Sequence, residues 1–153
     1  MMQTFLISPN FRESAQALDN SRLGNQRREV KCLYTSIVTQ SGWFHHPVAQ
    51  MWVPYVDALL HYGMTCCDVW RDRDKNDSTW LIFMSWLKGP YHDKQEDLIL
   101  PPWLGSPKLH ASHRSNLLRK VPDYYSKFGW TEGPNLPYFW PAHNYDWQKY
   151  ESI

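Results

Sequence analysis

Cysteine is scarce in this sequence, and its three occurrences build no framework. Cys32, Cys66 and Cys67 are odd in number and form no CxxC pair, so they are expected to be reduced, buried small hydrophobes, with no disulfide and no zinc cluster. A charged leader and a long apolar run are also missing from the start, MMQTFLISPNF. That lack excludes a signal peptide and a membrane anchor from the reading and points to a cytoplasmic protein. Neither internal repeats nor low-complexity tracts occur. Excess charge is missing too: the net charge is +1, so no overall basic character argues for a polyanionic partner.

Aromatic residues, by contrast, are abundant. Nine Trp and nine Tyr lift the aromatic share to 16% of 153 residues, enough for a large core, a stacking surface, or both. Charge is also unevenly distributed. Residues 108–120, KLHASHRSNLLRK, contain Lys108, Arg114, Arg119 and Lys120 with no acid, while acids gather between residues 68 and 97. A locally basic face is what phosphate contact requires.

The hydrophobic period is helical nearly throughout. Turn formers Ser8, Pro9 and Asn10 precede a short helix over 11–18, and a long helix follows from Asp19 or Ser21 to Thr39, with Leu23, Val30, Leu33, Tyr34, Ile37 and Val38 as its apolar stripe. Pro47 suits the first turn of a second major element, with His46 just before it. Pro54 should kink or divide that element, because it lacks an N–H and crowds the preceding turn. TWLIFMSWL reads as a helix or a short strand, with the helix preferred, residues 89–108 as an irregular proline-rich connection, and residues 110–120 as a short basic helix. The predicted architecture is mostly α: a compact single domain over residues 1–153 with a long N-terminal helix, a Pro-rich connection and an aromatic C-terminal wrap.

On the long helix Arg22, Gln26 and Glu29 fall at i, i+4 and i+7, about a hundred degrees from the apolar stripe, so Glu29 borders the core. Two readings of this acid stand open. It can be a surface partner of Arg22 or Arg28, worth roughly 0.3–0.5 kcal/mol, or a carboxylate held among cations because it acts on a polyanion. His45 and His46, ahead of a helix start, can bind a phosphate or cap the helix. His110 and His113 are spaced for a metal, but no third ligand supports them, and no metal is expected. Arg114 is the candidate phosphate clamp. Trp103, Tyr124, Tyr125, Trp130, Tyr138, Trp140 and Trp147 are expected mainly as core and lid packing, with one or two lining the site.

The segment LDNSRLGNQRRE (18–29), the His-bearing turn before the second major element, and SHRSNLLRKVPDYY (112–125) together resemble the pyrimidine-dimer DNA glycosylases of the phage endonuclease V type. The resemblance runs in order over most of the chain. It implies a helix bearing an Arg-Glu pair, matched by Arg28 and Glu29, with Glu29 catalytic and Arg22 a neighbouring cation. It also implies DNA-binding cations in the regions of His113, Arg114, Arg119 and Lys120, and an aromatic C-terminal element resembled by PDYYSKFGW. Such an enzyme breaks an N-glycosidic bond: a carboxylate stabilises positive charge growing on the sugar while cations hold the flanking phosphates. It must also extrude a nucleotide from the duplex.

In one respect the sequence departs from that family, whose best-known members use the α-amine of an N-terminal Thr as a Schiff-base nucleophile. Residue 2 here is Met, which disfavours removal of Met1. Either the Met1 amine attacks or Glu29 activates water. The expectation is therefore a monomeric DNA glycosylase acting on a damaged or modified base in duplex DNA, possessing or lacking an abasic-site lyase step, with no cofactor. An enzyme of the same fold acting on a free nucleotide or nucleoside derivative, and a non-catalytic nucleic-acid-binding module, are the alternatives.

Overall fold

A computed structural model describes residues 2–141, and all regular structure among them is helical. Seven α-helices are α1 (Phe11–Ala17), α2 (Asn20–Thr39), α3 (Pro47–Gln50), α4 (Val56–Asp72), α5 (Trp80–Trp86), α6 (Pro107–Lys120) and α7 (Pro122–Tyr125). Short 3-10 turns cover Val53–Tyr55, Gln95–Asp97 and Ser126–Phe128.

Local chemistry sets the boundaries. The Asn10 side chain caps α1 by accepting the Glu13 N–H, and Ser106 caps α6 by accepting that of Leu109. Pro47 and Pro107 each stand in a first turn, where a missing N–H costs nothing. Pro54 divides the second element as expected: α3 ends, a 3-10 turn containing Pro54 follows, and α4 begins at Val56. The long first helix and the helical reading of TWLIFMSWL match α2 and α5. The basic helix starts three residues earlier than the spacing predicted, because Ser106-Pro107 makes a capped start.

The core is a sandwich of α2 and α4 closed by α1 and α5. Gly63 marks the tightest approach: a Cβ there would lie 2.7 Å from both Val30 and Phe83. Leu23, Val30 and Leu33 of α2 meet a partner face on α4 that includes Leu59, Leu60, Tyr62 and Cys66, all fully buried. Each such aliphatic side chain contributes roughly 1.5–3 kcal/mol. Two sequence expectations fail at the edges of this packing. Val38, in the last turn of α2, is 48% exposed, and Cys32 is exposed on α2 rather than buried. Among the aromatics, Trp103 and Tyr125 are fully buried and Tyr124, Trp130, Tyr138 and Trp140 are half-buried against the core; Trp147 lies outside the described residues.

The feature that builds the site is the chain's beginning. Residues 2–7 are buried and form no regular secondary structure. Backbone polar groups in such a position need partners. They find them on side chains of α2, α4 and α6.

Candidate active site

Side chains of three helices hold that segment. Gln26 of α2 accepts the Phe5 N–H at 2.9 Å and donates to Gln3 O at 2.8 Å. The Tyr62 hydroxyl of α4 lies 2.8 Å from Phe5 O, where it donates. From α6, His113 Nδ1 accepts the Leu6 N–H (2.9 Å), His110 Nδ1 meets Leu6 O (2.8 Å), and Arg114 donates to Ile7 O (2.8 Å). The two imidazoles must therefore be opposite tautomers: His110 carries its proton on Nδ1, His113 on Nε2.

Glu29 sits where the segment begins. Its Oε2 accepts from Gln26 Nε2 at 2.9 Å and from the Gln3 N–H at 3.3 Å. Burial pushes its pKa above the ordinary carboxylate value, against the opposing pull of the Gln3 and Gln26 donors and the positive charge of Lys120. Among the described residues no cation forms an ion pair with it, so the surface-pair reading has no geometric support. Glu29 lines a shallow depression of ≈ 370 Å³ with Met2, Asn25, Arg28 and Cys32.

The other sequence candidates divide sharply. Arg28 lines the depression and holds Asn25, whereas Arg22 reaches Asp19 at 3.3 Å and does not touch Glu29. His46 caps α3, accepting the Val48 N–H at Nδ1, and its ring meets Trp43 and Trp140 edge-on; burial lowers its pKa. His45 is exposed beside Phe44. Arg119 and Lys120 are exposed at the end of α6. Both act electrically on the site, Lys120 on Glu29 and Arg119 on the phenol of Tyr138, which also feels Glu29. Met1 lies outside the described residues.

Two expectations are corrected. His113 is fully buried, its pKa pushed down to about 3 chiefly by desolvation, and a neutral interior imidazole spent on Leu6 is not a surface phosphate contact. Arg114 is no free clamp either: besides Ile7 it binds Glu132 through two nitrogens, and that pairing lowers the Glu132 pKa. Its neighbourhood in sequence is acid-free, but the fold returns Glu132 to it.

A partly desolvated carboxylate that no cation pairs among the described residues, lining an open depression with Arg28, can stabilise a developing positive charge or take a proton from water. Comparison with known proteins bears on which substrate that is. The model of a family described as pyrimidine dimer DNA glycosylase matches residues 2–82, more than half of the chain. The chain belongs to that family. The match contains Glu29, Arg22, Arg28, His45 and His46, and ends before α6 with His113, Arg114, Arg119 and Lys120. No curated protein and no solved structure matches the chain. Family membership gives DNA glycosylase activity in general and DNA as the substrate. No helix among the described residues is long and apolar enough to cross a membrane.

Sequence reading placed Gln26 on the face of Glu29 but gave it no task, and it overlooked Gln3 and Tyr62. The i, i+3 spacing of Gln26 and Glu29 was the available signal; the need of residues 2–7 for side-chain partners was not visible without the fold.

Proposed function

We propose that this protein excises pyrimidine dimers from duplex DNA, with Glu29 as the catalytic carboxylate. The observation that carries the reading is that Glu29 is partly desolvated, unpaired by any cation among the described residues, and open to a depression. As the C1′–N bond breaks, its electron pair leaves with the base and positive charge grows on the sugar, facing Glu29. Arg28 beside the depression, and Arg119 and Lys120 at the end of α6, supply charge for the flanking phosphates.

Glu29→Gln keeps shape and removes charge. Assayed on a duplex carrying a cyclobutane thymine dimer, it should lower C1′–N bond cleavage, read as abasic-site formation, by roughly 10²-fold or more and leave duplex affinity within about twofold. Full activity in that variant would refute the assignment.

The step after base release has a second reading, favoured by one observation. Met2 lines the depression and the Gln3 N–H reaches Glu29, so the first described residues of the chain border the carboxylate. The Met1 amine then adds to the cationic C1′ left by the departing base and loses one proton, and the ring oxygen takes up a proton and leaves C1′ with its electron pair, giving a protonated imine. The strand breaks when a base removes a C2′ proton and the 3′ phosphate leaves with the C3′–O electron pair. Borohydride reduces such an imine to a stable adduct on an abasic duplex. Adduct formation that disappears when the amine is acetylated supports the lyase; base release with no adduct leaves water, activated by Glu29, as the nucleophile.

A further inference from the structure

Glu29 is gripped by one oxygen only. Gln26 spends both N–H bonds, on Glu29 Oε2 and on Gln3 O. Its carbonyl oxygen accepts the Phe5 N–H and lies 2.7 Å from the Tyr62 hydroxyl, whose one proton is shared between this oxygen and Phe5 O. The orientation of the amide is dictated by this network: the Phe5 N–H can only donate, so the oxygen must face it and the nitrogen must face Glu29. Gln26 is 1% exposed, so neither solvent nor a second rotamer competes for it. Among the described residues no hydrogen bond reaches Glu29 Oε1.

We propose that Gln26 is a positioning residue that selects the working oxygen of Glu29, pinning Oε2 and leaving Oε1 to meet the reacting sugar or water. The proposal rests on the reading of Glu29 as the catalytic carboxylate. A carboxylate on an exposed helix turn samples several rotamers, each aiming a different atom outward. Two donors converging on Oε2 remove that freedom and favour the anion at that oxygen, so any proton gained in the reaction goes to Oε1. The same amide grips the backbone of Gln3 and Phe5, so one buried group fixes both the carboxylate and the path of the chain's beginning toward the depression.

The test uses two variants on the thymine-dimer duplex, with Glu29→Gln alongside. Gln26→Glu keeps the shape and the acceptor for Phe5 but faces Glu29 with a second carboxyl. Two carboxyls at that separation share a proton, so the acid limb of the kcat–pH profile should move up by about one unit or more, with kcat at neutral pH down about tenfold and KM within about twofold. Gln26→Met removes the donor and keeps the packing. It should lower kcat about tenfold or more and raise the Glu29 pKa followed by carboxyl carbon NMR. A folded Gln26 variant with wild-type kcat and pH profile, beside an inactive Glu29→Gln, overturns this proposal and spares the catalytic assignment. An active Glu29→Gln overturns both. Should neither Gln26 variant fold, the wild type decides: the Gln26 side-chain amide resonances must shift as Glu29 titrates, and resonances that stay still overturn the proposal.

Discussion

Leu6 and His113, 107 residues apart in the chain, meet in a 2.9 Å hydrogen bond from the Leu6 N–H to the imidazole Nδ1. The bond ties the buried N-terminal segment, inside the stretch matched by the family, to α6, outside it. His110 completes the grip on Leu6 from one turn away.

That grip makes the fold sensitive to acid. In the unfolded chain His113 titrates near its ordinary 6.5; in the fold it is held neutral down to about 3. Between those values the unfolded state binds the extra proton, so the stability contribution is complete above pH 6.5 and is lost as the pH falls toward 3. His110, also lowered, acts in the same direction. Thermal melts should show Tm falling below pH 6.5 more steeply in the wild type than in His113→Asn. At neutral pH that variant should be less stable by roughly 1–3 kcal/mol wherever the Leu6 N–H is left without an acceptor. Equal acid slopes in the two proteins would contradict the burial argument.

Glu29 supplies the opposite sign. Its folded pKa is raised above the unfolded value of 4.5, so the fold prefers the protonated form and the stabilising contribution is present below pH 4.5 and lost as the pH climbs through the folded pKa. At pH 7 the anion is a burden, as catalytic groups commonly are. Glu29→Gln should therefore melt higher than wild type at pH 7 while losing C1′–N bond cleavage, the gain shrinking near pH 4. One kcal/mol corresponds to roughly 2–4 °C in a chain of this size. A helix-surface acid in an ordinary ion pair would give the reverse, a lower Tm at neutral pH.

How much of this was visible in the sequence differs from residue to residue. The helices, the His46–Pro47 start and the break at Pro54 follow from local chemistry, which the sequence displays. The border position of Glu29 follows from helical spacing. Of its partners, Gln26 is local, three residues back on the same helix, whereas the Gln3 N–H is brought to it only by the fold. His113 and Arg114 were misjudged for one reason: charge counted along a segment ignores what the fold brings back, here Leu6, Ile7 and Glu132.

Cys32 offers a chemical probe of the depression. It is exposed one turn from Glu29 and lines the same cavity. Cys66 and Cys67 are buried, and desolvation pushes the Cys66 thiol up to about 12 and the Cys67 thiol higher still. Thiolates, not thiols, react, so a maleimide at pH 7 should label Cys32 alone, seen as a single mass addition. A bulky adduct there should suppress C1′–N bond cleavage at least about tenfold, since small displacements of reacting groups already cost that much. Cys32→Ser should be active and resist the reagent. Labelled protein of undiminished activity would place the chemistry elsewhere.

Charge at the end of α6 can be read from salt. Each phosphate neutralised by a bound cation contributes about 0.9 to the magnitude of the slope of log Kobs against log salt. Arg119 and Lys120 are exposed, and their charges already reach Tyr138 and Glu29, so phosphates flanking a sugar at the depression lie within their range. Arg114, locked to Glu132 and Ile7, has no such freedom. Lys120→Ala and Arg119→Ala should each weaken duplex binding and reduce the slope by about 1, on undamaged and dimer-containing DNA alike. Arg114→Ala should reduce Tm and leave the slope of the folded protein unchanged. The discriminating result is the slope rather than the affinity, because a destabilised fold lowers the active fraction without changing how many counterions are released. Slopes that respond to Arg114 and not to Arg119 or Lys120 would move the phosphate track to another face of α6.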